Sequence, residues 1–219
     1  MVECCIFDLD GTLLSTLETI TYHLNNTLLA NRLEEITIDD TRAFIGNGAK
    51  KLVSRAVAKS GVSGGELIDC VLREYNEAYN NDPIPRTDYY PGVCELIDRL
   101  FNDGVKLAVI TNKPEITARK LIDHFFPGKF SIISGGKAGS VLKPDPTETY
   151  RVIELLSARA EKTAFVGDTS VDIMTGKNAG VALCIGVSWG FRDREELLSS
   201  GADVIVDAAS ELYCELEKI

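Results

Sequence analysis

Cys4-Cys5-Ile6-Phe7-Asp8-Leu9-Asp10-Gly11-Thr12 is an apolar run that stops on two carboxylates, a glycine and a hydroxyl. The run has the length and unbroken hydrophobicity of a strand buried in a parallel sheet. Residues i and i+2 of a strand point the same way, so Asp8 and Asp10 leave its end toward one site. Gly11 then permits a sharp turn and close backbone approach. The carboxyl edge of an open α/β sheet is where such folds bind ligands. A strand end followed by an ordinary turn would use the same residue types, so the rest of the chain has to decide.

Downstream, the pattern changes period. Leu17, Ile20, Leu24 and Leu28 fall on one helical face, with Ser15 or Thr16 as the N-cap. Leu52, Val53, Ala56 and Val57 mark a second helix; Ile68, Val71, Leu72, Tyr75 and Tyr79 mark a third. Between Ser15 and Pro85 only Ile36-Thr37-Ile38 reads as extended, so this stretch is expected to be a helical insertion. Tyr90-Pro91-Gly92-Val93 opens another helix, with Pro91 at or near its first position and Val93, Leu96, Ile97, Leu100 and Phe101 on its buried face. From Val105 onward strands and helices alternate, which implies a doubly wound parallel sheet. The expected domains are an α/β core, residues 1–14 and 86–219, and a helical cap, residues 15–85.

Three more strand ends carry polar groups. Val105 to Ile110 runs into Thr111-Asn112-Lys113, where a hydroxyl and a turn N–H can meet phosphate oxygens or simply cap a helix. Lys143-Pro144-Asp145-Pro146 holds a lysine in extended backbone ahead of a helix, with Asp145 and Pro146 as its N-cap and first residue. Ala164-Phe165-Val166-Gly167-Asp168 ends a strand on an acid, with Asp172 four residues later. If these strands are neighbours, Asp8, Asp10, Asp168 and Asp172 converge on one edge. Two carboxylates 4 Å apart repel by about 4 kcal/mol at an effective dielectric near 20, so the cluster calls for protons or a cation. Oxygen ligands beside a phosphate site suit Mg²⁺.

The order and spacing of these pieces resemble the four motifs of the haloacid dehalogenase-like hydrolases, over essentially the whole chain. The resemblance implies a Rossmann-like core and phosphatase chemistry. Asp8 matches the nucleophile and Asp10 the general acid/base. Thr111 and Asn112 lie in the phosphate-binding motif, and Lys143 matches the phosphate-binding lysine. Asp8, Asp10 and Asp168 would hold Mg²⁺, with Asp172 acting indirectly. Arg42-Ala43-Phe44-Ile45-Gly46-Asn47-Gly48 is similar to the cap loop of phosphoglycolate phosphatases. Arg42, Gly46 and Gly48 are therefore candidates for substrate contact, with 2-phosphoglycolate the expected substrate. Ser15 and Lys137 stand where relatives often carry acids. Lys137, Lys50 and Lys51 are further cations whose contact with substrate stays open. A β-phosphoglucomutase, an inorganic pyrophosphatase or a nucleotidase would use the same core. A phospho-accepting signalling domain combines Asp, Thr, Lys and Mg²⁺ as well, on a much shorter chain without a cap.

Composition bounds the partners. A net charge of −10, with no basic tract, argues against nucleic acid, and no apolar run reaches the length of a membrane span. Six cysteines without a Cys-x-x-Cys pair read as free buried thiols in a reducing cytoplasm. The expected partner is a small phosphorylated metabolite, and the expected state is a monomer or weak dimer.

Overall fold

The computed structural model describes residues 1–137 and 139–219. The opening apolar run forms β1 (Cys4–Phe7), buried throughout. A short strand, β2 (Leu14–Ser15), leads into α1 (Leu17–Ala30), α2 (Ile38–Phe44), α3 (Ala49–Lys59) and α4 (Gly65–Asn81). The chain returns through β3 (Asp88–Tyr89), which pairs antiparallel with β2. Alternation then begins with α5 (Val93–Asn102), β4 (Lys106–Pro114), α6 (Glu115–Phe125), β5 (Ile132–Gly136) and α7 (Thr147–Leu155). It ends with β6 (Thr163–Gly167), α8 (Ser170–Ala179), β7 (Leu183–Val187), α9 (Arg194–Ser199), β8 (Val204–Val206) and α10 (Ala209–Glu217).

The main sheet has the order β5-β4-β1-β6-β7-β8, with every pairing parallel. The strand order runs outward from β1 through β4 to β5, then returns to β6 on the other side of β1. The crevice of an open α/β sheet lies at this reversal. Alternation along β1 sends Cys5 and Phe7 to one face and Cys4 and Ile6 to the other. Residues of α5, α6 and α10 cover the first face, and those of α7, α8 and α9 the second.

The four helices α1–α4 bury a separate cluster. It includes Leu17, Ile20, Leu24 and Leu28 of α1, Leu52, Val53, Ala56 and Val57 of α3, and Val71, Tyr75 and Tyr79 of α4. Phe191, from the loop after β7, joins this cluster. The paired strands β2 and β3 form the root of the unit, tied by Thr19 Oγ1 donating to the Pro85 carbonyl at 2.7 Å.

Local details depart from the sequence-based expectations. Ile36-Thr37-Ile38 is no strand. Thr37 caps α2, accepting from Asp40 N–H at 3.1 Å, while the Asp40 carboxylate accepts from Thr37 N–H at 2.8 Å. Gly92, not Pro91, stands at the start of α5, with φ 78°. Phe101 lies on the exposed side of α5 beneath the Lys129 ammonium. Pro146 takes the cap position of α7, and Asp145 Oδ1 accepts from Thr147 N–H at 2.9 Å. Strand β4 stays extended through Thr111, Asn112 and Lys113, so neither Thr111 nor Asn112 caps a helix. The six cysteines are free, but Cys214 is exposed and Cys70 and Cys94 are only partly covered. No helix among the described residues is long and apolar enough to cross a membrane.

Helix α8 meets the sheet at Gly176, where an added Cβ would lie 2.6 Å from Cys184 Sγ and 2.9 Å from Phe165 Cβ. Gly176→Ala gains about 1 kcal/mol of helix propensity but overpacks this seam, which costs about 1–3 kcal/mol. The packing effect is expected to dominate and lower the urea midpoint. An unchanged or raised midpoint would show that α8 rides off the sheet at no cost.

Candidate active site

Five polar side chains reach the carboxyl edge of the sheet from successive strand ends. Asp8 follows β1 directly and is aligned by its own N–H, which donates to the Val166 carbonyl at 2.9 Å. Thr111 lies within β4, Lys143 after β5, Asp168 after β6, and Asp172 in the first turn of α8. All five are buried. Sequence-distant residues meet here because β1 is the central strand between β4 and β6.

Lys143 organises one half of the site. Its Nζ donates to Asp172 Oδ1 at 2.6 Å and lies 2.8 Å from Asp8 Oδ1. The second approach is off the direction a hydrogen bond needs, which leaves Asp8 Oδ1 buried beside a charge without a donor. Asn112 holds the lysine backbone at both ends. Its Oδ1 accepts from Lys143 N–H at 2.8 Å, and its Nδ2 donates to the Lys143 carbonyl at 3.1 Å. The same Nδ2 reaches the Gly46 carbonyl at 3.1 Å, so the side-chain amide of Asn112 is fully engaged with the protein.

The carboxylates differ in how they are satisfied. Asp172 Oδ2 accepts from the Thr169 hydroxyl at 2.7 Å and from Thr169 N–H at 3.0 Å, so both its oxygens are occupied. Asp168 takes the Thr12 hydroxyl on Oδ1 at 2.9 Å and Phe191 N–H on Oδ2 at 2.8 Å. Asp168 sits in a cradle of two glycines. A Cβ at Gly11 would lie 2.3 Å from its Oδ2, and one at Gly190 2.2 Å from its Cβ. Burial, and then the charge of Asp172, push the Asp8 carboxyl up to about 7 against the pull of Lys143. Burial above all, then Asp172 and Asp8, raise Asp168 well beyond the usual carboxylate range. Burial works to depress the Lys143 ammonium, but Asp172 and Asp8 outweigh it and hold it above its ordinary value.

Ligand oxygens of Asp8, Asp168 and Asp172 all lie within 4.8 Å of one another. One lysine faces three buried acids, and a divalent cation would bring the group to neutrality. The hard oxygen donors, the bare Asp8 oxygen and the glycine cradle fit Mg²⁺. The Asp10 carboxylate turns elsewhere. It accepts from Thr16 Oγ1 at 2.6 Å and from Lys113 Nζ at 2.9 and 3.1 Å.

Lys113 was not singled out from the sequence as a site residue. It is buried, and its Nζ also donates to the Tyr79 hydroxyl at 2.7 Å. Burial depresses its ammonium below the ordinary lysine value in spite of Asp10. Its place two residues after Thr111 in a strand was the available signal, since that spacing returns a side chain to the same face.

Above the carboxylates lies a cavity of about 50 Å³, enough for a few water molecules. Asp8, Asp10, Thr111, Asn112, Lys113 and Lys143 line its floor. Its roof is Ile20, Ile45, Leu52, Tyr75 and Tyr79 from the helical unit, together with Phe191. Gly46 and Gly48 reach the cavity wall, with φ 110° and 83°. Arg42 is exposed and is not among the lining residues, although its carbonyl is held by Arg192. Lys137 pairs with Glu115 and Lys50 with Asp69, and Lys51 is exposed.

The profile of the haloacid dehalogenase-like hydrolases matches residues 5–186. A phosphoglycolate phosphatase of Rhodospirillum rubrum is 33% identical over 213 residues, covering 94% of this chain and 88% of the relative. One of Aquifex aeolicus is 34% identical over 191 residues, covering 85% and 84%. A solved structure from Lactobacillus delbrueckii subsp. bulgaricus superposes with a TM-score of 0.91, at 31% identity over 99% of each chain. With a parallel sheet that brings Asp8, Asp10, Lys143 and Asp168 to one edge, and with relatives alike along almost the whole length, this chain belongs to the haloacid dehalogenase-like hydrolase family.

Proposed function

We propose that the protein is a Mg²⁺-dependent phosphatase that hydrolyses a small phosphomonoester, 2-phosphoglycolate, through an aspartyl-phosphate. The observation that carries this reading is the state of Asp8. One of its oxygens is buried, free of any hydrogen-bond donor and 2.8 Å from an ammonium. A carboxylate so placed is desolvated and paired with a cation, without a backbone or hydroxyl donor to hold it back from bonding. The curated relatives bearing the name phosphoglycolate phosphatase support the substrate.

In the proposed reaction a carboxylate oxygen of Asp8 bonds to phosphorus as the bond to the ester oxygen breaks, and Asp10 gives that ester oxygen a proton. Asp10 then takes a proton from the water whose oxygen attacks phosphorus, and the bond to Asp8 breaks to release phosphate. The hydrogen bonds from Lys113 and Thr16 suit Asp10 as a carboxylate, the form that acts in the second step. The Thr111 hydroxyl and the Lys143 ammonium donate to phosphate oxygens, and Asn112 fixes Lys143. Asp8 and Asp168 would hold Mg²⁺, with Asp10 beside them and Asp172 behind through Lys143 and Thr169. When bound, the cation supplies positive charge that offsets the acids and the approaching phosphate. The helices of residues 15–85 serve as a cap that excludes water from the site. A protein of this composition would act on its metabolite in the cytoplasm, without nucleic-acid or membrane partners, as a monomer or weak dimer.

Metal dependence is the first expectation. EDTA should abolish phosphate release and Mg²⁺ should restore it. Independently of turnover, Mg²⁺ should raise the melting temperature of the wild type and leave that of Asp168→Ala unmoved. Full turnover in metal-free buffer would remove the cation from the reaction.

The two acids of the first motif should separate kinetically. Asp8→Asn should fold normally and lose more than about a thousandfold in kcat, because an amide cannot form the acyl-phosphate. Asp10→Asn should lose about 10²–10⁴-fold, the usual contribution of a positioned acid/base. Near-wild-type turnover by Asp8→Asn would exclude covalent catalysis at this residue.

A further inference from the structure

Tyr75 and Tyr79 lie one turn apart on α4, so both side chains leave the same face of the helix. Each is only 3% exposed, and each lines the cavity opposite the carboxylates. An ammonium can only donate, so Lys113 makes the Tyr79 oxygen an acceptor at 2.7 Å. The phenolic hydrogen of Tyr79 is then left over, with no acceptor among the described residues. The Tyr75 hydroxyl has no hydrogen-bond partner among the described residues, and its oxygen is not sealed off from the cavity. Buried donors are nearly always matched in native proteins. Two unmatched ones facing a single small cavity point to a ligand that matches them.

The rest of the roof is apolar: Ile20, Ile45, Leu52 and Phe191 offer no polar side-chain atom. The two hydroxyls therefore face whatever the ester oxygen carries, not the phosphate, which the floor would hold. We propose that Tyr75 and Tyr79 are the specificity-determining residues, donating to a carboxylate on the leaving group. Two O–H donors one turn apart suit the two oxygens of a carboxylate. Lys113 makes the approach of this anion feasible, because its ammonium already neutralises Asp10 at 2.9 and 3.1 Å. This assignment rests on the phosphatase reading above, and it gives recognition to α4 where the sequence had offered Arg42.

Tyr75→Phe is the decisive variant, because it removes a hydroxyl from which no protein group loses a partner. Tyr79→Phe and the double variant complete the series. Steady-state kinetics would be compared for 2-phosphoglycolate and for ethyl phosphate, which has a similar ester but no carboxylate. Each single variant is expected to lower kcat/KM for 2-phosphoglycolate about tenfold, and the double about a hundredfold, chiefly through KM. Ethyl phosphate hydrolysis by Tyr75→Phe should change by less than about threefold. Calorimetric titration of Asp8→Asn with 2-phosphoglycolate, with and without Tyr75→Phe, should show the same weakening without any turnover. Parallel losses on both esters, no loss on 2-phosphoglycolate, or a wild type that does not prefer 2-phosphoglycolate to ethyl phosphate would overturn the assignment. In those cases wild-type hydrolysis of ethyl phosphate leaves the phosphatase reading standing. Hydrolysis of neither ester would overturn both.

Discussion

Everything at the carboxyl edge of the sheet depends on one lysine placed among three buried acids. Lys143 contacts Asp8 at 2.8 Å and Asp172 at 2.6 Å, and Asp168 completes the group. Each pair of carboxylates at such distances repels by a few kcal/mol, and burial strips away the water that would screen them. The cluster therefore contributes no stability by itself, and a buried ion pair of this kind positions groups at a cost. The rest of the fold carries that cost. Gly167 lets Asp172 come close, since a Cβ there would lie 2.2 Å from the Asp172 Cβ. Asn112 grips Lys143 by its backbone on both sides, which fixes the point from which its side chain reaches the acids.

The same residues tie the helical unit to the sheet. Asn112 holds Lys143 and also reaches the Gly46 carbonyl. Phe191 N–H donates to Asp168, while its ring packs among the helices, and Arg192 beside it binds the carbonyls of Arg42 and Ile45. Lys113 joins Asp10 on the core to Tyr79 on α4. Movement of the helices would thus disturb the groups that hold Lys143, Asp168 and Asp10. If these helices act as the cap proposed above, closure and assembly of the site would be one event on this geometry.

The sheet and its acids were legible because their signals are local and strong. The i, i+2 pair Asp8 and Asp10 follows an apolar strand, and the apolar run Ala164-Phe165-Val166-Gly167 falls within the strand observed over Thr163–Gly167. What stayed hidden depends on partners far away in sequence. Lys113 looks like a solvated strand-end lysine until Asp10 and Tyr79 are found 2.7–3.1 Å away. Tyr75 and Tyr79 have helix-core spacing, and nothing local distinguishes a tyrosine that packs from one that packs and also points a hydroxyl into a cavity. Thr16 reads as a cap, yet its hydroxyl leaves the helix for Asp10. Gly190 has no visible duty until its missing Cβ makes room for Asp168. The two-residue strands β2 and β3 and the six-residue helix α9 are too short to show a period.

Asp8 and Asp10 leave the same side of one strand end, two residues apart, and still enter opposite environments. Asp8 meets a cluster that is short of positive charge and keeps one oxygen without a donor. Asp10 meets a matched cation and a hydroxyl, with Lys113 bonded to both its oxygens. Two like groups set in unlike surroundings is the arrangement by which a site assigns separate roles to a pair of acids. In the reaction proposed above, the first would form the bond to phosphorus and the second would hold and return the proton. The pair of lysines makes this division: one sits between acids it cannot neutralise, the other against a single acid it can. Lys113 also fixes the Tyr79 oxygen, so one group orients both the proposed acid/base and the roof that would meet the leaving group. On that proposal proton transfer and leaving-group recognition would share one anchor, two residues beyond Thr111 in β4.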